Sequence, residues 1–202
     1  SLLALKINSS QATIGRKLHE LELKKYLVKQ SNKGRTITEE GKKYFAKLEI
    51  DIINAEKVKQ LIDESNNISP KRLLDTLRVR RILEKETVVL ATNSMTETEI
   101  TQLEKILNIQ AMKVAQGFLG DEEDLIFHST LARLSGNGVL EQIMTLILTQ
   151  NRAYSGFSYI RKKRPSSLVT DHKKILQAIK AGDADRASEL MVTHIDNIIN
   201  DV

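Results

Sequence analysis

Apolar residues recur at three- and four-residue steps over most of this chain, and the places where that rhythm fails divide it. Ile14, Leu18 and Leu21 form the first stripe, with Ser9 or Ser10 placed to cap it. A helix is therefore expected from Ser10 toward Tyr26. Two short β-prone runs follow, Tyr26-Leu27-Val28-Lys29 and Arg35-Thr36-Ile37-Thr38, around a polar loop holding Ser31, Asn32, Lys33 and Gly34. They read as a hairpin. Helix followed by hairpin is the second half of a winged helix-turn-helix. Leu2 to Ile7 supply its supporting helix, with Asn8 and Ser9 as the turn. The first helix of such a module is missing, so the chain is expected to begin inside it.

Beyond the hairpin the helical rhythm resumes with Tyr44, Leu48, Ile52, Ala55, Val58 and Leu61, and breaks between Asp63 and Ser69. Ser69-Pro70 is a cap followed by proline at the first helical position, and opens a helix to about Ala91. Thr96 and Glu99 form a capping box ahead of Ile100, Leu103, Leu107 and Met112. Further helices start near Asp121, near Asn137, after Pro165 and at Asp183, and two of them close at Gly136 and Gly182. The expected fold is mainly α: an incomplete winged helix-turn-helix over 1–48, a helical linker over 49–68, and an antiparallel six- to seven-helix bundle over 69–202. The linker also offers a face for pairing with a second copy.

Charge sharpens this division. Residues 1–50 carry 11 Lys and Arg against 5 Asp and Glu, leaving 20 against 21 for the rest. A basic first quarter beside a neutral remainder is the footprint of polyanion binding, nucleic acid first. On the face opposite Ile14, Leu18 and Leu21 stand Gln11, Thr13, Arg16, Lys17 and His19, beside Ser10 at the cap. These can reach base edges or phosphates from a major groove, with Lys33 and Arg35 in the wing beside the backbone. With no Cys, the chain has neither a disulfide framework nor a thiolate metal site. Its apolar runs are too short to cross a bilayer and no leader opens it, so a cytoplasmic location is expected.

The candidate chemistry lies in the bundle. Asp124 and His128 stand four residues apart and project from one helix face as half of a metal site. His172 and His194, on the last two helices, complete it. Imidazoles with one carboxylate suit a divalent transition ion such as zinc, nickel or manganese better than calcium or magnesium. The alternative for each histidine is a packed or solvated side chain.

Several stretches in order carry a resemblance: Leu77-Arg78-Val79-Arg80-Arg81-Ile82-Leu83-Glu84, Asp124 to His128 followed by Ser135-Gly136-Asn137, Asp171-His172 through Ile179, Gly182-Asp183 through Ala187, and Met191 to His194. Together they resemble the FCD effector domain of the fatty-acid-regulator-like branch of the GntR family of bacterial transcription regulators. The resemblance implies a metal held by Asp124, His128, His172 and His194, and a small effector, often a carboxylate, completing its coordination. Arg80 then lies near the pocket as a partner for that carboxylate, or else forms a structural ion pair. Asn137 falls in the family's Ser-Gly-Asn turn, as a cap or an effector contact. The resemblance also implies a homodimer on a two-fold operator. The DNA-reading helix departs from the family's pattern, with Gln11 and Gly15 where arginines are frequent and Arg16 where a glutamate is usual. Those departures bear on which operator is read.

Two other readings use the same four ligands. A metal-dependent hydrolase would activate water at open coordination positions, but no further acid or base is marked near the ligands. Asp171-His172 also reverses the His-Asp order of helical phosphohydrolases. A direct metal sensor would respond to the ion itself. The identity of the effector, the metal and the operator, and the choice between activation and repression, are not encoded in any residue pattern.

Overall fold

The computed structural model describes residues 10–30, 34–65, 69–152 and 165–202. The chain divides into two compact units, Ser1–Leu61 and Ile62–Val202. The expected supporting helix, its turn and Lys33 lie outside the described residues, as do residues 153–164, between the helix expected near Asn137 and the one expected after Pro165.

In the first unit, helix α1 spans Gln11–Leu23 and is capped by the Ser10 hydroxyl, which accepts from the Thr13 amide. It stops because Lys25 turns left-handed, at φ 62°. The Tyr26 amide then reaches back to the Leu21 carbonyl, a Schellman closure. Strands β1 (Leu27–Lys29) and β2 (Arg35–Ile37) pair antiparallel, with Leu27 opposite Ile37 and Lys29 opposite Arg35. Helix α2 spans Glu39–Ser65, so one continuous helix passes through Asp63, where a break was expected. Asp63 and Glu64 are compatible with a helix, and neither Pro nor Gly interrupts it before Ser65. Thr38 caps α2 by accepting from the Gly41 amide, while the Tyr26 and Tyr44 rings stack 4.3 Å apart. Gly41 is required here. A side chain on it would overlap the Tyr26 carbonyl oxygen, a backbone atom that cannot move aside.

The second unit holds six helices among its described residues: α3 (Pro70–Ser94), α4 (Glu97–Ala115), α5 (Asp121–Leu134), α6 (Gly138–Arg152), α7 (Pro165–Lys180) and α8 (Ala184–Asn200). Local signals start them. Ser69 caps α3, the Thr96–Glu99 box closes reciprocally on α4, and Asp183 accepts from the Arg186 amide at α8. Helix α3 continues one turn past Ala91, and the Ser94 hydroxyl donates to the Leu134 carbonyl at the end of α5.

Packing proceeds α3 on α8, α8 on α7, α7 on α4, α4 on α5 and α5 back on α3, a closed ring of five helices. Helix α6 lies against α3 and α5. Leu77, Val88, Leu103, Leu107, Phe127, Leu131, Ile175, Ile179, Met191 and Ile195 fill the ring. A second apolar cluster, Ala132, Leu140, Met144 and Leu148, holds α6 in place. Among these apolar residues the ring also buries Arg80, Glu84, Gln110, Asp124, His128, His172 and His194. So many ionisable side chains inside a core are costly unless they satisfy one another or hold an ion. No helix among the described residues is long and apolar enough to cross a membrane.

Candidate metal centre

Three helices bring the four expected ligands together. Helix α5 carries Asp124 and His128 one turn apart, α7 carries His172 and α8 carries His194, and all four are buried. One donor atom from each lies within 4.8 Å of the others. His172 Nε2 stands 3.3 Å from His194 Nε2 and 3.6 Å from Asp124 Oδ1, and His128 Nε2 is 3.8 Å from that same oxygen. Donors 2.0–2.2 Å from a tetrahedral ion would lie roughly 3.3–3.5 Å apart. The set is therefore near the spacing an ion requires, and slightly open.

The outward nitrogens account for this convergence. His172 Nδ1 is 2.9 Å from Gln110 Oε1 on α4. His128 Nδ1 contacts a carboxylate oxygen of Glu84 on α3, and His194 Nδ1 lies 3.7 Å from Asp171 Oδ2, beyond hydrogen-bond distance. His128 and His172 thus each have an acceptor behind them and direct Nε2 inward, the arrangement that orients histidine ligands on a metal, while Asp171 stands behind His194 without a hydrogen bond. His128 Nε2 is fully buried and makes no hydrogen bond. An inward nitrogen of that kind fits an ion as its partner.

Charge behind the site is fixed by Arg80 and Glu84, whose Nε–Oε1 hydrogen bond is 2.6 Å and whose side chains are each 2% exposed. Burial alone would raise the Glu84 pKa, but the nearby Arg80 and His128 outweigh it and hold Glu84 down at about 2. Arg80 Nη2 is buried with no hydrogen-bond partner. Both possibilities for Arg80 therefore keep an observation in their favour: one edge of the guanidinium forms an ion pair, and another donor is left over. Asn137 is exposed, and its side-chain oxygen accepts from the Leu140 amide as the cap of α6.

Burial lowers the His194 pKa and nearby His128 adds to the effect, while Asp171 opposes it. An imidazole whose folded pKa lies below its unfolded value of 6.5 takes up its proton first in the unfolded chain. Its stability contribution is present above that value and is lost as pH falls through the window beneath it. Glu84 adds a second loss, between 4.5 and about 2. Metal-free protein is therefore expected to melt at progressively lower temperature from pH 7 to pH 5, with a shallower slope in His194→Gln. A flat profile would refute the assignment.

In the first unit Gln11, Arg16 and Lys17 are exposed, with Lys17 paired to Glu20 at 2.9 Å. Ser10 and Thr13 hydroxyls bond each other at 2.9 Å at the cap. Arg35 holds Glu22 of α1 through two nitrogens, at 2.7 and 3.4 Å, tying the hairpin to the helix.

Glu84, Gln110 and Asp171 were not assigned these roles from sequence. Glu84 carries one usable signal, its four-residue spacing from Arg80. Gln110 carries none, because its partner lies 62 positions away.

Comparison with known proteins places this geometry. Residues 75–197 match the FCD domain. The chain is 28% identical over 127 residues to the HTH-type transcriptional regulator LutR of Bacillus subtilis, and 29% identical over 130 residues to the Uxu operon regulator of Haemophilus influenzae. Those matches cover 60% and 61% of this chain but 58% and 48% of the two relatives, so the chain spans about half their length. Among solved structures, Streptococcus agalactiae GntR aligns over 98% of this chain and 85% of its own, at TM-score 0.55 and 19% identity. McbR/YncC of E. coli aligns over 96% and 80%, at 0.57 and 16%. Likeness at that identity establishes the fold alone. Both relatives are named as regulators, and neither lends support to the hydrolase reading. With the domain match covering more than half of the sequence and the bundle carrying its buried Asp-His set, this chain belongs to the GntR family of transcription regulators, in the branch with an FCD effector domain.

Proposed function

We propose that the chain is a DNA-binding regulator whose helical bundle holds a divalent transition ion on Asp124, His128, His172 and His194, and that a small carboxylate effector bound there changes operator affinity. The observation that carries this reading is the convergence of four buried donors from three helices, with His128 Nε2 left unbonded. A bound ion that expands its coordination beyond these four ligands would supply positions for an effector carboxylate. Arg80 would meet the same carboxylate through Nη2, as a charge-assisted hydrogen bond. Gln11, Arg16 and Lys17, with Ser10, Thr13 and Arg35, form the proposed DNA-reading surface, to which Lys33 is assigned by its place in the sequence between the two strands. The proposed working form is a homodimer in the cytoplasm, since a two-fold operator needs two readers.

Coupling between effector and operator of this kind is typically about 1–3 kcal/mol, a roughly 5- to 150-fold change in affinity. The test begins by selecting bound sequences from random duplex DNA with the full chain. Fluorescence anisotropy then measures affinity for the selected site with zinc present, across a panel of small mono- and dicarboxylates. A change within that range for at least one acid is expected, and weakened in Arg80→Lys, which keeps a positive charge against Glu84 but lacks Nη2. If acids that bind the bundle leave DNA affinity unchanged, the coupling fails. If zinc alone, graded over physiological concentration, moves DNA affinity, the direct metal sensor replaces it.

A further inference from the structure

Buried polar chains have a direction, and at this site one end is fixed by a group that can only accept. The Gly120 carbonyl takes the backbone N–H of Asp124 at 3.1 Å, where α5 begins, and Gln110 Nε2 at 3.1 Å. Both of its lone pairs are then used. Gly120 itself is held in place: its φ is 65°, and a side chain there would press on Gln110 and Val114 at 3.0 Å. The opposite orientation of the Gln110 amide would set two oxygens against each other in a buried site, a costly arrangement. Gln110 therefore presents Oε1, and only Oε1, to His172 Nδ1 at 2.9 Å.

We infer that Gln110 is the positioning residue of the centre: through Gly120 it fixes His172 as the Nδ1–H tautomer, and through His172 it fixes His194 as the Nε2–H tautomer while no ion is bound. The second step follows from the first. With its proton on Nδ1, neutral His172 has a bare Nε2, 3.3 Å from His194 Nε2. Two bare nitrogens at that distance repel, so His194 donates there. The same tautomer leaves His194 Nδ1 without a proton; that atom makes no hydrogen bond, and the Asp171 oxygen 3.7 Å away, farther than the 3.3 Å between the two Nε2 atoms, takes Asn197 Nδ2 at 3.1 Å instead.

His128 and His172 are thus pre-set as donors to an ion, and His194 is not. For His194 to ligate through Nε2, the proton on that atom must leave to solvent and one must be taken up at Nδ1, facing Asp171, so the ring's charge is unchanged. His194 is then the ligand that reports occupancy, and Asp171 is the group that receives the relocated N–H.

This inference rests on the proposed metal reading for its last step only, and the experiment separates the two. Long-range ¹H–¹⁵N correlation spectra of the metal-free full chain at about pH 8, where neutral imidazole prevails, should show His172 protonated at Nδ1 and His194 at Nε2. Added zinc should leave His172 unchanged and move the His194 proton to Nδ1. Gln110→Met removes the acceptor and should leave His172 a mixture of tautomers, with zinc affinity reduced roughly 10- to 100-fold. Gln110→Glu, protonated on the oxygen that faces the Gly120 carbonyl, donates there as the amide does and keeps an acceptor toward Nδ1, and should restore the single tautomer and affinity to within a few-fold. His172 protonated at Nε2 in the parent protein would overturn the inference, and that result does not depend on whether Gln110→Met folds. The expected tautomers without any response to zinc would uphold the Gln110 assignment and sink the metal reading alone.

Discussion

Protein purified without chelator is expected to hold close to one divalent transition ion per chain, and His128→Ala, His172→Ala and His194→Ala are each expected to lose it. The three histidines are buried and each supplies one of four donors, so removing any one leaves three ligands and a space that water must fill. Exposed His19 is the control, since its side chain is 68% accessible and pairs with Glu22 of the same helix. His19→Ala should keep the ion. The second readout is thermal. An ion present at a hundred times its dissociation constant stabilises the state that binds it by about 2.7 kcal/mol. For a unit of this size each kcal/mol moves the melting point by roughly 2–4 °C. Chelation should therefore lower the melting temperature of the parent by about 5–10 °C and leave the alanine variants almost unmoved. Elemental analysis finding no ion in the parent, with melting indifferent to added zinc, nickel and manganese, would remove the centre. The bundle would then have to bind its effector by Arg80 and hydrogen bonds alone.

What the sequence made legible depended on how far each interaction reaches along the chain. Ser10, Ser69, Thr96 and Asp183 each bond a backbone group three residues away, and all four cap the helices that local reading starts there. Asp124 and His128 declare themselves by sharing one helix face. The hairpin was visible as two β-prone runs about a loop, and its register follows from them. His172 and His194 stand beside that pair at first only as histidines on the last two helices and are tied to it by resemblance, since no local rule brings α5, α7 and α8 together. Groups that act behind the ligands were hidden for the same reason. Glu84 could be seen to pair with Arg80 one turn away, but its contact with His128 spans 44 positions and depends on α3 packing against α5. Gln110 looks like an ordinary polar residue between apolar neighbours until α7 supplies His172. The break expected at Asp63 falls two residues short of the helix end at Ser65, because polar residues end an apolar stripe without ending a helix.

The Arg80–Glu84 pair should dominate the stability of the bundle when it is broken and matter little when it is removed whole. Both side chains are 2% exposed, so neither charge is hydrated, and Glu84 is ionised at neutral pH because Arg80 and His128 hold its pKa near 2. Taking two charges out of water costs about as much as their attraction returns, whereas leaving one behind unpaired costs about 3–5 kcal/mol. Glu84→Ala is therefore expected to lose stability of that order in urea unfolding of the metal-free protein, since it strands the Arg80 guanidinium and empties the space behind His128. Arg80→Ala should lose a comparable amount by stranding Glu84. The double replacement Arg80→Met with Glu84→Leu restores volume without charge and should recover most of the loss, so the two single effects are strongly non-additive. Function divides the variants differently from stability. The double variant keeps a folded bundle but has no acceptor behind His128 and no guanidinium for an effector carboxylate, so zinc affinity should fall roughly 10- to 100-fold. Single replacements that each cost under about 1 kcal/mol would mean that water reaches the pair in solution. Arg80 and Glu84 would then act on the centre only through His128 and the effector.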